Sequence, residues 1–369
     1  MCEAMKKLSL LLAAGLLILG GCADPSTTEE SKEKAPSSNQ NESKKKKTEN
    51  EESEKDEQPF KPLEPSEDAV SLDKTLTEKE QQNIPEIQAA LVGNPERTVP
   101  AGETLADGMK DLSDGPLKDH RLVAYYGTPD SENMGILGEL EPEEYMKKLK
   151  EQTQAYSDAD PDRPAVPTIE LITTMAQSEP GPDGDYVRMT SEENIEKYVE
   201  LAEKHDALVL LDIQLGTDTV MEQVEMVKKW LKHPHVHLAI DTEFHVAEGE
   251  KPGEDLGQVD GKEIQKAVEY VSELTEKNDL PDKFVLVHQF TGAVLTNKDS
   301  IQPTDNVEVA INFDGWGTSA DKQALYGKYI RDEPNQYGAF KIFYDKDEPV
   351  MNPEDVLKMD PSPAIINYQ

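Results

Sequence analysis

Three ionisable side chains occupy alternate positions in the stretch "HLAIDTEFHV" (residues 237–246): Asp241, Glu243 and His245. Side chains alternate across an extended strand, so these three share one face, and Leu238, Ile240 and Phe244 share the other. Two carboxyls two residues apart on one face stand roughly 6–7 Å apart at Cα. Mutual repulsion and partial burial raise one pKa of such a pair, and a general acid working near neutrality requires that shift. Glu243, further along the strand, is the better proton donor. Asp241 is its partner, and Asp212 in "ALVLLDIQLG" is a candidate second carboxylate.

The same alternation recurs in other apolar runs. "VPTIELITTMA" turns Glu170 away from its apolar face, and "ALVLLDIQLG" turns Asp212 and Gln214 away from Leu211, Ile213 and Leu215. "VEVAINFDGWG" sets Asn312, Asp314 and then Trp316 opposite Val309, Ile311 and Phe313, and "GAFKIFYDK" sets Lys341 and Asp345 opposite Phe340, Ile342 and Tyr344. In "KFVLVHQF" either His288 or Gln289 takes the polar side. Tyr126 in the first run and Tyr368 in the last are assigned to the polar face as well. Trp316, Tyr126 and Tyr125 offer flat apolar surface for sugar rings, or equally for packing at the rim.

Eight short apolar runs carry these residues: 121–127, 166–176, 207–216, 236–246, 283–290, 307–317, 338–346 and 363–368. Amphipathic helical segments separate most of them. "EPEEYMKKLKEQTQAY", "TSEENIEKYVELAEKH", "TVMEQVEMVKKWLKHP" and "GKEIQKAVEYVSELTEK" carry apolar residues at helical spacing, and "SADKQALYGKYIRDE" is a weaker case. After the fifth and seventh runs only short segments fit. Strand alternating with helix implies a parallel sheet, and eight strands in about 250 residues imply an α/β fold of the (β/α)₈ TIM-barrel type. A doubly wound sheet is the alternative, but "GTPDSENMGILGE" after the first run lacks the G-x-G-x-x-G of a dinucleotide site. No run is left for an eighth outer helix, so residues 80–115 are expected to cover that gap. In a barrel the polar faces turn inward, and most of the polar positions fall toward the C-terminal strand ends, where barrel enzymes keep their sites.

"AIDTEFH" is similar to the fourth-strand D-x-D-x-E signature of family 18 chitinases and their barrel relatives. The resemblance implies Glu243 as proton donor and Asp241 as the residue orienting an acetamido group. Ala239 stands where that signature has its first Asp. Three other readings stay open. One is a metal-dependent hydrolase, with Asp212, Asp241, Glu243, His245, His288 and Asp314 supplying oxygen and nitrogen ligands. Another is a tethered glycan-binding protein without turnover. The third is a structural network in which Lys341 neutralises a neighbouring acid. "HPHVH" (233–237) looks metal-like, but it falls at the opposite end of the barrel and reads as loop. No metal or cofactor is assigned, and no G-x-S-x-G elbow, P-loop or catalytic-cysteine pattern is present.

The N-terminus has the order of an export signal. Lys6 and Lys7 precede the apolar stretch Leu8–Leu19, too short to span a membrane comfortably, and "LGGC" ends at Cys22. This resembles a bacterial lipobox, which implies export, lipidation at Cys22 and a location at the cell membrane facing outside the cytoplasm. Residues 1–21 are then signal peptide. Residues 22–80, rich in Ser, Glu, Lys and Pro, are expected to be a disordered tether. Residues 81–120 are expected to be a helical lead-in, and 121–369 the barrel. The chain has 75 Asp and Glu against 38 Lys and Arg, a net charge of -37. That balance disfavours nucleic acid as a partner, where cations must neutralise phosphate. The expected partners are the membrane, through Cys22, and a glycan or cell-wall ligand.

Overall fold

A computed structural model describes residues 58–369. Its centre is a barrel of eight strands: β1 Arg121–Gly127, β2 Ala165–Ala176, β3 Leu208–Gly216, β4 Val236–His245, β5 Lys283–Gln289, β6 Val307–Phe313, β7 Tyr337–Ile342 and β8 Ile365–Tyr368. Every neighbouring pair is parallel, and β1 pairs with both β2 and β8, which closes the ring. The fold is a (β/α)₈ barrel, and each of the eight apolar runs supplies one strand.

Local sequence explains where the covering helices start. Pro142 opens the helix Pro142–Ala159, where its missing N–H costs nothing. Ser191 caps Glu192–Lys204 by accepting from the Asn194 N–H. Thr219 and Glu222 form a reciprocal capping box on Val220–Val227. The weak segment after β6 gives Ser319–Tyr326, which runs on into the wider turn Gly327–Arg331. Between β7 and β8 lies only the short helix Pro353–Leu357.

Two hydrophobic layers result. Outside the barrel, Leu211, Ile213, Ile240, Val285, Ile311 and Phe340 pack with the helices. Inside, Leu122, Val166, Leu208, Leu210, Ala239, Leu286, Ala310 and Ile365 fill the lower half. Phe60 and Leu117 join this inner cluster and plug the bottom.

Phe60 moves the expected start of the folded part. The tether was expected to run to residue 80, yet Lys61 and Leu63 donate backbone hydrogen bonds to Asp206 and Ala165, and Phe60 is buried. One buried aromatic and two strand-end carbonyls are enough to anchor a segment whose composition alone argued for disorder. The earlier part of that tether, with the signal segment and Cys22, lies outside the described residues.

The lead-in docks, but not where expected. Helix Glu86–Val92 packs on Ser319–Arg331, where a Cβ on Gly327 would come within 2.6 Å of Val92. Gln88 exchanges hydrogen bonds with the Asp360 backbone, and Thr98 and Val99 donate N–H groups to its carboxylate. The place of an eighth outer helix is instead filled by Pro353–Leu357 against Pro142–Ala159 and by stacked tyrosines. Tyr344 lies on Tyr368, and Tyr368 meets Tyr125 and Tyr156 edge-on.

Candidate active site

Above the apolar layers the barrel interior turns polar. Glu170, Asp212, Asn312 and Asn367 are wholly buried, and Gln214, Asp241, His288 and Lys341 nearly so. Each comes from a different strand except Asp212 with Gln214, so the closed ring positions them together. His288 is the inward residue of β5, since it lies between Asp241 and Asn312 in the strand register.

His288 is the hub. Its Nε2 lies 2.9 Å from Glu170 Oε1 and 4.0 Å from Asp212 Oδ1, and its Nδ1 lies 3.0 Å from Asp314 Oδ2. Asn367 Nδ2 donates to the other Glu170 oxygen. Tyr126 donates to Asp212 Oδ2 at 3.2 Å, and Gln214 Nε2 donates to the Tyr126 hydroxyl at 3.1 Å. The Lys341 ammonium sits 3.7 Å from the centre of the Tyr126 ring, a cation–π contact. Burial alone would push the imidazole down, but the hydrogen bonds it donates to Asp314 and Glu170 outweigh that and hold His288 well above its ordinary value. Burial raises Asp212 to about 7, with His288 and Lys341 opposing, and it raises Asp241 well above the carboxylate range.

Glu243 occupies the rim of this cluster and is partly exposed. Burial first, and then the Asp314 charge, raise it to about 7 against the pull of Lys341 and His288. Asp314, also near the rim at 9% exposure, keeps one oxygen without a partner. The interior therefore presents a raised carboxyl and a second, His288-anchored carboxylate at its open end.

Several sequence expectations need correcting. Tyr368 faces the helices, paired with Tyr125, and the inward residue of β8 is Asn367. The run is short and apolar on both faces, so its parity was poorly marked, and only the alternation with Ile365 signalled Asn367. Trp316 is not inside the barrel: β6 ends at Phe313, and the indole is 65% exposed on the following loop. Asp345 is exposed for the same reason, because β7 ends at Ile342. His245 lies at the end of β4, where its Nδ1 meets the Gln258 carbonyl. Gln289 is buried, but its neighbour His288 takes the interior. Within "HPHVH", His235 bonds the Val199 carbonyl and His237 stacks on Phe284, so these residues are structural.

No protein-family model matches the chain, and no curated protein matches it. Among solved structures, it is similar to a mutant form of Thermotoga maritima Cel5A in complex with cellobiose, at 9% identity and TM-score 0.38, covering 71% of this chain and 91% of that one. It is also similar to a glycerophosphoryl diester phosphodiesterase from Parabacteroides distasonis, at 12% identity and TM-score 0.32, covering 72% and 90%.

Proposed function

We propose that the barrel hydrolyses a glycosidic bond by acid/base catalysis, with Glu243 as proton donor. The observation that carries this reading is the position of Glu243: a rim carboxyl reachable from solvent and raised to about 7, so that it holds a proton near neutrality. Asp314 is the second carboxylate, because its charge is the largest electrostatic influence on Glu243 and one of its oxygens is unengaged. Two carboxyls in unlike environments are what glycoside hydrolysis needs: one protonates the leaving oxygen, the other activates water or attacks the anomeric carbon. Asp241 lies deeper in the barrel, where burial raises it well above the carboxylate range. Asp212, wholly buried under Tyr126, is further from the rim than a second catalytic carboxylate should be. The exposed Trp316 indole supplies a stacking surface for a sugar ring beside Asp314.

The "LGGC" sequence supports a lipid anchor at Cys22, which would place the barrel on the outer side of the membrane facing envelope glycan. A Cys22→Ala variant should lose labelling by a palmitate analogue and be released from membranes. The activity is tested by incubating the purified protein with amino-sugar and neutral oligosaccharides beside Glu243→Gln and Asp314→Asn. Cleavage by the wild type that both variants lose supports the assignment. Cleavage that persists in Glu243→Gln removes it, and binding without cleavage in the wild type replaces catalysis with capture.

A further inference from the structure

In the polar upper half of the barrel three side chains each bring one donor atom to a common point and have the other atom tied. His288 Nε2, Glu170 Oε1 and Asp212 Oδ1 lie within 4.8 Å of one another. Without a cation the Nε2–H donates to Glu170 Oε1 at 2.9 Å, and metal binding would release that proton. The remaining atom of each is held from behind. Asp314 takes His288 Nδ1, Asn367 donates to Glu170 Oε2, and Tyr126, itself fixed by Gln214, donates to Asp212 Oδ2. Asp212 Oδ1 has no hydrogen-bond partner although the residue is wholly buried. An unpaired buried carboxylate oxygen is costly, and its position calls for a ligand.

We infer that Glu170, Asp212 and His288 form a binding site for a first-row divalent cation, Zn²⁺ or Mn²⁺. One imidazole nitrogen and two carboxylate oxygens suit those ions, whereas Ca²⁺ seeks six or more oxygens. The partners behind the ligands are what metal sites use to fix tautomer and orientation, and a carboxylate on the far nitrogen of the ligating histidine is the commonest of them. A cation here also offsets acids that outnumber the nearby cations: Glu170, Asp212, Asp241, Glu243 and Asp314 against His288, Lys341, Lys322 and Lys346. The second carboxylate–histidine group, Asp241 with His288 and Asp314, is less prepared, because no hydrogen bond reaches the Asp241 carboxylate among the described residues. The inference is separable from the glycosidase reading, since none of its three ligands is Glu243 or Asp314, although Asp314 orients the ligand His288.

The test treats the purified protein with chelator and titrates back ZnCl₂, MnCl₂, MgCl₂ or CaCl₂ alone, following bound metal and thermal melting. Zn²⁺ or Mn²⁺ should bind one per chain and raise the melting temperature, and Ca²⁺ should not. Asp212→Asn should abolish both effects. Asn367→Ala leaves every ligand in place and should weaken binding by about 10–100-fold, which separates a metal site from a misfolded variant. Glu243→Gln should bind as the wild type does, so a failed hydrolysis assay leaves this result intact. Absence of stoichiometric binding, or binding that Asp212→Asn retains, overturns the inference.

Discussion

The two ends of the barrel bury ionisable groups in opposite ways. At the bottom Arg121 pairs with Asp160 at 2.8 Å, but three other buried groups have no ion-pair partner among the described residues. The Lys283 ammonium donates to the carbonyls of His233 and Val236, and burial lowers it to about 7. His237 is pushed well below its ordinary value by burial, and Glu308, accepting from the Leu117 N–H, well above. Gly115 permits that last contact, since any Cβ there would sit 2.3 Å from the Glu308 carboxyl. Lys283, His237 and Glu308 thus escape the cost of burial by moving toward their neutral forms. At the top the groups meet one another: His288 stands between two carboxylates, Lys341 lies over Tyr126, and several oxygens are left free. A buried group without a partner is driven toward its neutral form, whereas at the top the carboxylates beside His288 hold it charged. The difference separates the end that holds the fold together from the end that can act.

The largest effect that sharpens this contrast is at the rim. Glu243→Gln should lower kcat by between about 10² and 10⁴-fold. In the wild type, kcat/KM should fall as pH rises above about 7, as Glu243 loses the proton it donates. The same shift carries a stability consequence. A carboxyl raised in the fold favours the folded state at low pH, and that contribution is lost as pH rises from the unfolded value through about 7. Urea denaturation should therefore find Glu243→Gln level with the wild type at pH 4 and more stable at pH 8.

Next come the two buried bases, compared directly. His288→Ala leaves Glu170 and Asp314 without their common partner and should cost about 3–5 kcal/mol in urea denaturation at pH 7. Lys283→Met should behave in the opposite sense. The unfolded lysine binds its proton up to pH ~10.4 while the folded one releases it near 7, so wild-type stability rises between those values. Below pH 7 the full penalty, on the order of 4 kcal/mol, is present. The variant should melt above the wild type at pH 6, with the gap closing by pH 10. Equal losses in the two variants would erase the distinction between the ends. The smallest effect is Trp316→Ala, which should raise KM by roughly 2–10-fold with kcat and melting temperature unchanged.

Much of the fold was legible because each strand buries both faces. A helix-facing row of Val, Ile and Leu ran beside an inward row interrupted by acids and amides, and the sequence "LLDIQLG" needed no further context to place Asp212 and Gln214. What sequence could not show was where a strand stops. Trp316 and Asp345 keep the right parity but lie beyond the last paired residues, where alternation no longer governs direction. Nor could it show closure at the bottom. "QPFKPLEP" has the composition of a linker, and only the arrival of Phe60 among Leu122, Leu208 and Ile365 makes it part of the core. Glu308, His237 and Lys283 were visible as polar residues in apolar runs. Their isolation depends on partners distant in sequence, so the contrast with Asp212 and His288 required the closed ring.

The two tryptophans divide along the same line, and light can read it. Trp230 is 1% exposed and donates to Glu196 at 2.9 Å, while Trp316 is 65% exposed beside the mouth. Fluorescence should resolve into a blue component that iodide cannot quench and a red one that it can. A ligand entering the barrel would perturb the red component alone. The wild-type chain thus carries an optical reporter at its opening and an internal reference away from it, and occupancy can be followed before any product is known.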